Sequence, residues 1–411
     1  MKLIIFTYAP AGLGHLRVTE ALVESRPKES PYILLGSVDR FMTWIHRFTS
    51  INPVGKYFFL KIQYGFLEDV FTRVYRSFLT LFSGSIYRQF KDIIVRSSSD
   101  DEVWIVATHF GMAHQIGAVK QKLIEETGRS VKLIVQVTDD TYQHIWCVRG
   151  ADLTFVPSSF VKAKFQSYAQ KENIEFVGEV IPYPISPVLC QKISGTQEPR
   201  SKALASQSGV VRVAIPISGA AVGLGYLTAL VKEINKLSQR FEFWILVRKS
   251  PFTEMFRSSV AKQLGVNLLV GKDDMEMITL YEQLYQDQLI HLEITKPSEQ
   301  LFKAILTPDL VGGCLLWLTS PVGRQERENL KFLERHGLLA LSSPQPSTRA
   351  IRLPQSPDRA AKMMTQALES GLLENLTKNS YRFAEGSRWS NEVGADGTRQ
   401  FWIKTAEKLD K

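Results

Sequence analysis

Short apolar segments alternate with amphipathic helical segments along most of the chain. In the first half, the segments EVWIVATHF and VKLIVQVTD are continuous apolar runs that end in polar residues. Strands that are apolar on both faces are typical of a parallel sheet covered by helices on both sides. The pattern therefore predicts an α/β fold.

The alternation stops between residues 187 and 209, where Pro, Ser, Gly and charged residues dominate, and it restarts at VVRVAIPIS. The two halves begin alike, each with a strand, a glycine-rich loop and a helix, which is typical of Rossmann-like domains. We therefore predict Rossmann-like domains at 1–186 and 210–375, a linker at 187–209 and a C-terminal helical segment at 376–411. The two parallel sheets are expected to face each other across a cleft.

Composition narrows the class of protein. The 411 residues contain only three cysteines and carry a net charge of +9. So few cysteines argue against a disulfide framework or a cysteine zinc site, and they fit a reducing cytoplasm. The positive charge suggests an anionic partner. No apolar stretch reaches the length of a membrane-spanning helix.

The segment 40–96 is both basic and aromatic, with nine Lys or Arg residues and fourteen aromatic residues. Its helical spacing of Phe71, Val74, Phe78, Leu79 and Phe82 suits an interfacial helix on a membrane surface. Ordinary core helices would show the same spacing. A single-stranded nucleic acid partner would not require so many aliphatic residues.

The candidate functional residues of the first half come directly after its apolar strands. His15 begins a helix after GLG, where the helix dipole favours a neutral imidazole that can accept a proton. Asp139 and Asp140 end one apolar strand, and His109 ends another. His144 and Trp146 follow Asp139 within one loop. Functional side chains of open parallel sheets usually lie at such strand ends.

The second half offers phosphate-binding and sugar-binding candidates. ISGAAVGLGY places Ser218 and Gly219 between a strand and a helix, where backbone amides can receive phosphate oxygens. Further candidates lie at two helix starts after strands, and they are Lys296, Ser298, Glu299, Gln300, Gln325, Glu326 and Asn329. These features alone are equally typical of solvated helix starts.

Taken in order, the motifs resemble those of glycosyltransferase family 28, which has the two-domain GT-B architecture. Its members include monogalactosyldiacylglycerol synthases and processive diacylglycerol glucosyltransferases. The resemblance spans Thr7 to about Gly337. It rests on GLGH (Gly12, Gly14, His15), TH (Thr108, His109), TD…H.W (Thr138, Asp139, His144, Trp146), VPS (156–158), TKP (295–297) and P.G.QE..N (Pro321, Gly323, Gln325, Glu326, Asn329).

The resemblance implies an inverting transfer of a sugar from a nucleotide diphosphate donor, usually a UDP-sugar, to a lipid acceptor such as diacylglycerol. His15 or Asp139 would be the catalytic base. Gly12, Gly14, His109, His144 and Trp146 would bind the acceptor, and the second-half candidates would bind the donor. No metal or cofactor is expected, because helix N-termini and polar side chains can stabilise the departing diphosphate. The expected location is the cytoplasmic face of the membrane, contacted through residues 40–96.

The chain departs from the family pattern at the donor site. Ser298-Glu299 stands where a glycine pair is usual. In the second glycine-rich loop, Ala220, Ala221 and Val222 lie between the glycines. Two alternatives therefore stay open. One is a soluble GT-B-type enzyme, either an epimerase of sugar nucleotides or a transferase with a soluble acceptor. The other is a non-catalytic binding protein of the same fold.

Overall fold

The computed structural model describes residues 2–9, 13–36, 63–97, 102–194, 200–205, 209–217, 219, 221–340, 344–383 and 391–410. The chain forms two compact units. The first comprises Met1–Ser186 together with Asn391–Lys411, and the second comprises Pro187–Ser390. Residues after 390 thus belong to the first unit, whereas the sequence pattern groups 376–411 as one C-terminal segment.

The first unit is built on a six-stranded parallel sheet in the order β2-β1-β3-β4-β5-β6. Its strands are β1 (Lys2–Tyr8), β2 (Tyr32–Gly36), β3 (Glu102–Ala107), β4 (Ser130–Gln136), β5 (Leu153–Val156) and β6 (Gly178–Val180). The strand order reverses between β1 and β3. Ligands of open α/β sheets bind outside the carboxyl ends of strands at such a point.

Six helices of the described chain accompany this sheet. They are α1 (Leu13–Glu24), α2 (Gly65–Leu81), α3 (Gly84–Arg96), α4 (Phe110–Thr127), α5 (Ser159–Lys171) and, after the second unit, α13 (Gly397–Leu409). A single 3-10 turn covers His144–Trp146. The core lies between the apolar strands and the buried faces of these helices, with Phe90, Ile105, Leu133 and Phe165 fully enclosed.

Helix α13 completes the first unit from the far end of the chain. Phe401 packs on Phe155 of β5, and Trp402 packs edge-on against Phe6 of β1. The indole nitrogen of Trp402 donates to the carbonyl oxygen of Leu22 at 3.2 Å. The helix therefore supplies core residues to the first sheet.

The second unit holds a seven-stranded parallel sheet in the order β12-β13-β11-β10-β7-β8-β9. Its strands are β7 (Val211–Pro216), β8 (Phe241–Arg248), β9 (Val266–Gly271), β10 (Leu292–Thr295), β11 (Leu315–Leu318), β12 (Leu339–Ala340) and β13 (Ala350–Arg352). Here the strand order reverses between β7 and β10, which again marks a binding position.

The described helices of the second unit are α6 (Arg200–Ala205), α7 (Leu224–Leu237), α8 (Glu254–Val260), α9 (Asp274–Asp287), α10 (Arg324–Arg335), α11 (Pro357–Glu369) and α12 (Leu372–Phe383). The helix expected after Lys296-Pro297 is a seven-residue 3-10 helix, Glu299–Ile305. The α/β prediction of two Rossmann-like domains is confirmed.

Candidate functional site

His15 lies in the first turn of α1, just beyond the carboxyl end of β1. Its Nδ1 is 2.7 Å from the carbonyl oxygen of Thr108, which follows β3, and 3.1 Å from the hydroxyl of Thr138, which follows β4. The Thr108 hydroxyl in turn contacts that of Thr19 on α1 at 2.8 Å. Three strand ends therefore fix one imidazole at the strand-order reversal of the sheet.

The contact with Thr108 decides where the imidazole proton is. A carbonyl oxygen can only accept, so Nδ1 must donate, and a neutral ring then carries its lone pair on Nε2. A fixed Nδ1–H tautomer is the form in which a histidine can take a proton through Nε2. The His15 ring is half-buried.

His109 and Trp146 surround His15 with aromatic rings. The His109 ring lies edge-on to His15 at 5.0 Å and stacks on Phe110 at 4.5 Å. Trp146 is fully buried, with its ring centroid 6.3 Å from that of His15. A Cβ on Gly111 would lie 2.9 Å from His109 Cε1. The structure thus brings His109, Trp146 and His15 together, with Trp146 as a packing wall.

The two adjacent aspartates of the first unit have different environments. Asp139 is half-buried, beside Thr138. Asp140 is buried and accepts a hydrogen bond from Ser158 Oγ at 2.5 Å. Ser158 Oγ also caps α5, because it accepts a hydrogen bond from the backbone N–H of Val161. Asp140 therefore has a structural role. Gly14 lies in the first turn of α1, and Gly12 lies outside the described residues.

His144 is held from α2. Its Nδ1 lies 2.7 Å from Asp69 Oδ1, and its backbone N–H donates to Glu68 Oε1 at 2.9 Å. Its ring stacks on Tyr168 of α5 with centroids 3.9 Å apart. The structure therefore places His144 between α2 and α5. Sequence reasoning did not find its two acidic partners, because they precede it by more than seventy residues.

Helix α2 exposes most of its apolar residues, and two of its three buried residues are polar. Glu68, Thr72 and Leu79 are its buried residues. Its outward residues are exposed apolar side chains, which together with the adjoining Phe82 we call the apolar face, and they are Phe66, Leu67, Val70, Phe71, Val74, Phe78, Leu81 and Phe82. At 3.6 residues per turn these positions fall within about half of the helix circumference.

A contiguous exposed apolar surface of this kind marks an interaction site. The exposed Arg88 and Arg96 of α3 follow it along the chain. Of the basic and aromatic segment 40–96, residues 63–96 are described by the structure, and residues 40–62 lie outside the described residues. Within the described ranges, no helix combines the length and the apolar character needed to cross a membrane.

The second unit has a cavity of about 220 Å³ beside β7, β10 and β11. Its apolar side includes Ile217, Leu227 and Ile294, and its polar side includes Lys296 and Gln355. The remaining lining residues are Pro216, Val222, Gly223, Tyr226, Thr295, Thr319, Ser320 and Val322. A pocket with a large apolar wall and few polar groups is typical of small-molecule sites.

The N-terminus of α7 reaches this cavity through Val222 and Gly223. Gly223 precedes the helix with φ of 81°, and Ala221 has φ of 51°. A non-glycine residue in this left-handed region costs about 1–3 kcal/mol, and such strain clusters at ligand sites. Gly219 lies in the same loop, and Ser218 lies outside the described residues. A helix N-terminus beside a lysine favours an anionic group.

Lys296 is the one described donor-site candidate that lines the cavity. Its Nζ lies 2.9 Å from Glu326 Oε1, and Glu326 Oε2 accepts the backbone N–H of Val322 at 2.5 Å. Asn329, one turn along α10, donates to the carbonyl oxygen of Pro297 at 3.2 Å. Glu326 and Asn329 therefore fix the position of the Lys296-Pro297 turn.

The other candidates lie around this turn. Ser298 precedes the 3-10 helix and makes no side-chain capping bond, and Glu299 is half-buried. Gln300 is buried and its Oε1 accepts from Thr295 Oγ1 at 2.8 Å. Gln325 is half-buried in the first turn of α10. These residues neighbour the cavity in sequence but do not line it.

A buried polar cluster behind β10 was not found from the sequence. Glu293 Oε2 accepts from Lys303 Nζ at 2.5 Å and from the hydroxyls of Tyr281 and Tyr285 at 2.7 and 2.5 Å. Glu293 is not among the residues that line the cavity. The cluster ties the 3-10 helix to β10 and supports the Lys296 turn.

Among the described residues, no group of three or more His, Cys, Asp and Glu side chains is arranged to hold a metal ion. The expectation that the reaction needs no metal stays a prediction.

Comparison with known proteins identifies the fold. No family model matches the chain, and no curated protein matches it in sequence. Solved structures match over nearly the whole length. The UDP co-structure of S. aureus MnaA has a TM-score of 0.53 and 11% identity, covering 100% of this chain and 97% of that chain.

Two further structures agree. UDP-GlcNAc 2-epimerase from Neisseria meningitidis, bound to UDP-GlcNAc, has a TM-score of 0.50 and 12% identity, with coverage of 99% and 100%. Anabaena HepE in complex with UDP and glucose has a TM-score of 0.51 and 10% identity, again with coverage of 99% and 100%. The chain therefore has the GT-B fold, built from two Rossmann-like domains with parallel sheets.

Proposed function

We propose that the protein is a glycosyltransferase that moves a sugar from a nucleotide diphosphate, most simply a UDP-sugar, to an acceptor hydroxyl at a lipid surface. The observation that carries the proposal is the cavity of the second unit, where Lys296 and the N-terminus of α7 meet an apolar wall. This combination suits a nucleoside diphosphate, because the phosphates need positive charge and the base needs apolar contact.

The donor assignment also draws on proteins of the same fold. The compared structures are complexes with UDP, with UDP-GlcNAc, and with UDP and glucose. In our proposal, Lys296 and the α7 amides bind the diphosphate and stabilise the charge that develops as it departs. Glu326 and Asn329 keep the Lys296 turn in place.

His15 supplies the acceptor chemistry. Its Nδ1–H is held by Thr108, so Nε2 takes the proton of the acceptor hydroxyl as that oxygen bonds to the anomeric carbon. The bond from that carbon to the diphosphate breaks, and the nucleotide leaves with the electron pair. General-base help of this kind is worth about 10²–10⁴-fold in rate. Asp139, half-buried after the neighbouring Thr138, is the alternative base.

The lipid surface is proposed from the apolar face of α2. Aromatic and aliphatic residues point outward together, and the chain carries a net charge of +9. Interfacial helices of this composition lie in the boundary of anionic membranes. A diacylglycerol-type acceptor is then delivered from the surface that the first unit contacts.

An epimerase of sugar nucleotides is the second candidate, since one of the compared structures, that from Neisseria meningitidis, is a UDP-GlcNAc 2-epimerase. An epimerase needs a donor cavity but no acceptor. The apolar face of α2 favours the transferase.

The first experiment measures thermal stabilisation of the purified protein by UDP, GDP, TDP and their common sugar conjugates. A ligand at about 100 times its dissociation constant stabilises the folded state by about 2.7 kcal/mol. We expect one nucleotide family to raise the unfolding temperature. Lys296→Gln should lose most of this increase, whereas Lys262→Gln, an exposed lysine elsewhere in the same unit, should keep it.

The stabilising sugar nucleotide is then incubated with vesicles containing diacylglycerol. A transferase releases the nucleoside diphosphate and forms a glycolipid, and an epimerase interconverts two sugar nucleotides without release. If no nucleotide stabilises a well-folded protein, the proposed function is wrong.

A further inference from the structure

We propose that α2 couples the lipid surface to the acceptor site, with Arg76 and Asp69 as positioning residues. The outer side of α2 contacts lipid, and its inner side clamps the turn His144–Trp146, which packs beside His15. The inference rests on the proposed function in taking the surroundings of His15 as the place of reaction and the apolar face of α2 as the lipid contact.

Arg76 makes the strongest part of the clamp. Its Nη2 donates to the carbonyl oxygens of His144 at 2.6 Å and Cys147 at 2.8 Å, and its Nη1 donates to the Tyr168 hydroxyl at 3.3 Å. One guanidinium thus closes both ends of the turn. Hydrogen bonds from a charged donor are about twice as strong as neutral ones.

Asp69 and Glu68 hold the same turn from about two helical turns earlier in α2. Asp69 Oδ1 contacts His144 Nδ1, and its other oxygen is 2.8 Å from Lys171 Nζ. Glu68 accepts the backbone N–H of His144. Three charged side chains of α2 therefore contact the turn or its end, and Lys171 of α5 pairs with one of them, Asp69.

The turn transmits this position to the reacting group. The carbonyl oxygen of Ile145 lies 2.7 Å from His114 Nε2 on α4. The Trp146 ring lies 5.5 Å from Phe110, which stacks on His109. Trp146 is also 6.3 Å from His15. A displaced turn would therefore displace the rings that border His15.

The inner side of α2 has little apolar packing, since Leu79 is its one buried apolar residue and Tyr75 is a partly buried one that packs against Phe110. An element held mainly by partly exposed polar contacts belongs to the part of a protein that opens locally at low free-energy cost. Burial of the apolar face in a lipid surface removes that freedom, and the clamp then holds the turn in one position. A lipid occupant fits because the exposed residues are aromatic and aliphatic along one whole face of the helix.

The test is hydrogen exchange of the peptide 143–148 in the full chain, with and without vesicles of phosphatidylcholine and phosphatidylglycerol. In this peptide the His144 amide is held by Glu68, and the Trp146 amide bonds within the turn. We expect vesicles to slow its exchange about tenfold or more in the unchanged protein.

Arg76→Gln should abolish this slowing while vesicle binding stays within about twofold, because the outer face is intact. Asp69→Asn is a milder second variant and should reduce the slowing. Arg73→Gln is the matched control. Arg73 lies one turn before Arg76 on the same helix but pairs with Glu172 at 2.7 Å and does not contact the turn. It should keep the slowing.

The coupling is refuted by any of three results. These are vesicle binding without slowed exchange in the unchanged protein, full slowing in Arg76→Gln, and failure of the vesicles to bind. None of them requires turnover, so failure of the coupling is separate from failure of the nucleotide-binding test. Where transfer is measured, Arg76→Gln should lower kcat on vesicle-bound acceptor and leave the KM for the sugar nucleotide unchanged.

Discussion

Replacement of Phe78 and Phe82 by serine tests whether the apolar face contacts a membrane. The two rings are 48% and 59% exposed, and they lie next to each other with centroids 4.6 Å apart. Since neither ring is buried in the core, the double variant Phe78→Ser/Phe82→Ser should fold with nearly unchanged stability. It should lose most of its affinity for vesicles.

The magnitude follows from the exposed area. A phenylalanine offers about 200 Å² of surface, so the two exposed fractions leave roughly 200 Å² in all, worth about 5 kcal/mol at about 25 cal/mol per Å². If about half of this area enters the lipid boundary, the loss is about 2–3 kcal/mol, or about 30- to 150-fold in affinity.

The assay is co-sedimentation with anionic vesicles, combined with thermal unfolding. Phe252→Ser is the matched control, because Phe252 is 58% exposed and belongs to the second unit, not to the apolar face. It should leave vesicle binding unchanged. Unchanged binding by the double variant would refute the assignment of this face to lipid, and unfolding of that variant would show that the rings belong to a core.

Three further predictions concern other parts of the molecule. His15→Asn keeps a donor near the Thr108 carbonyl but removes Nε2, so turnover should fall about 10²–10⁴-fold while nucleotide affinity is unchanged. Gly313→Ala would place a Cβ 1.8 Å from the carbonyl oxygen of Thr307, and the forced backbone shift should destabilise the second unit by about 1–3 kcal/mol or more in urea unfolding. Burial lowers the pKa of His114 to about 4 and that of His291 to about 3. The unfolded chain therefore takes up protons first as the pH falls below 6.5, and the free energy of unfolding should fall by about 1 kcal/mol per pH unit for each histidine.

Each of these has a result that contradicts it. Full turnover by His15→Asn would move the base to another group, with Asp139 the first to test. Unchanged urea midpoints for Gly313→Ala would mean that the backbone there relaxes at no cost. A free energy of unfolding that is flat between pH 7 and pH 5 would show that the two histidines are not buried neutral in the folded protein.

The strands were largely predictable from the sequence, because a buried parallel strand must be apolar along its whole length. FEFWILVR, for instance, coincides with β8. The strands β12 and β13, only two and three residues long, were too short to give a pattern. His15 could be singled out because its neighbours in the chain, a strand and a glycine-rich loop, already define its position.

The side chains that support the site could not be predicted in the same way. The contacts of His144 with Asp69, and of Lys296 with Glu326, join residues 75 and 30 positions apart. Helix α2 illustrates a second reason. Its amphipathic spacing was visible, but periodicity shows only that a helix has two different faces. Which face points inward depends on the groups of the rest of the fold that can bond to it. For α2 these include the backbone groups of the His144 turn.

The packing of Phe401 and Trp402 on the first sheet has a consequence for synthesis of the chain. A ribosome completes β1 to β6 long before it makes these two residues, and the whole of residues 187–390 emerges in between. During that interval Phe6 and Phe155 lack the rings that cover them in the finished structure. The second unit, which is continuous in sequence, can close its core first. The first unit is thus begun early and finished late, and chaperone protection would be needed most while its aromatic surface is uncovered.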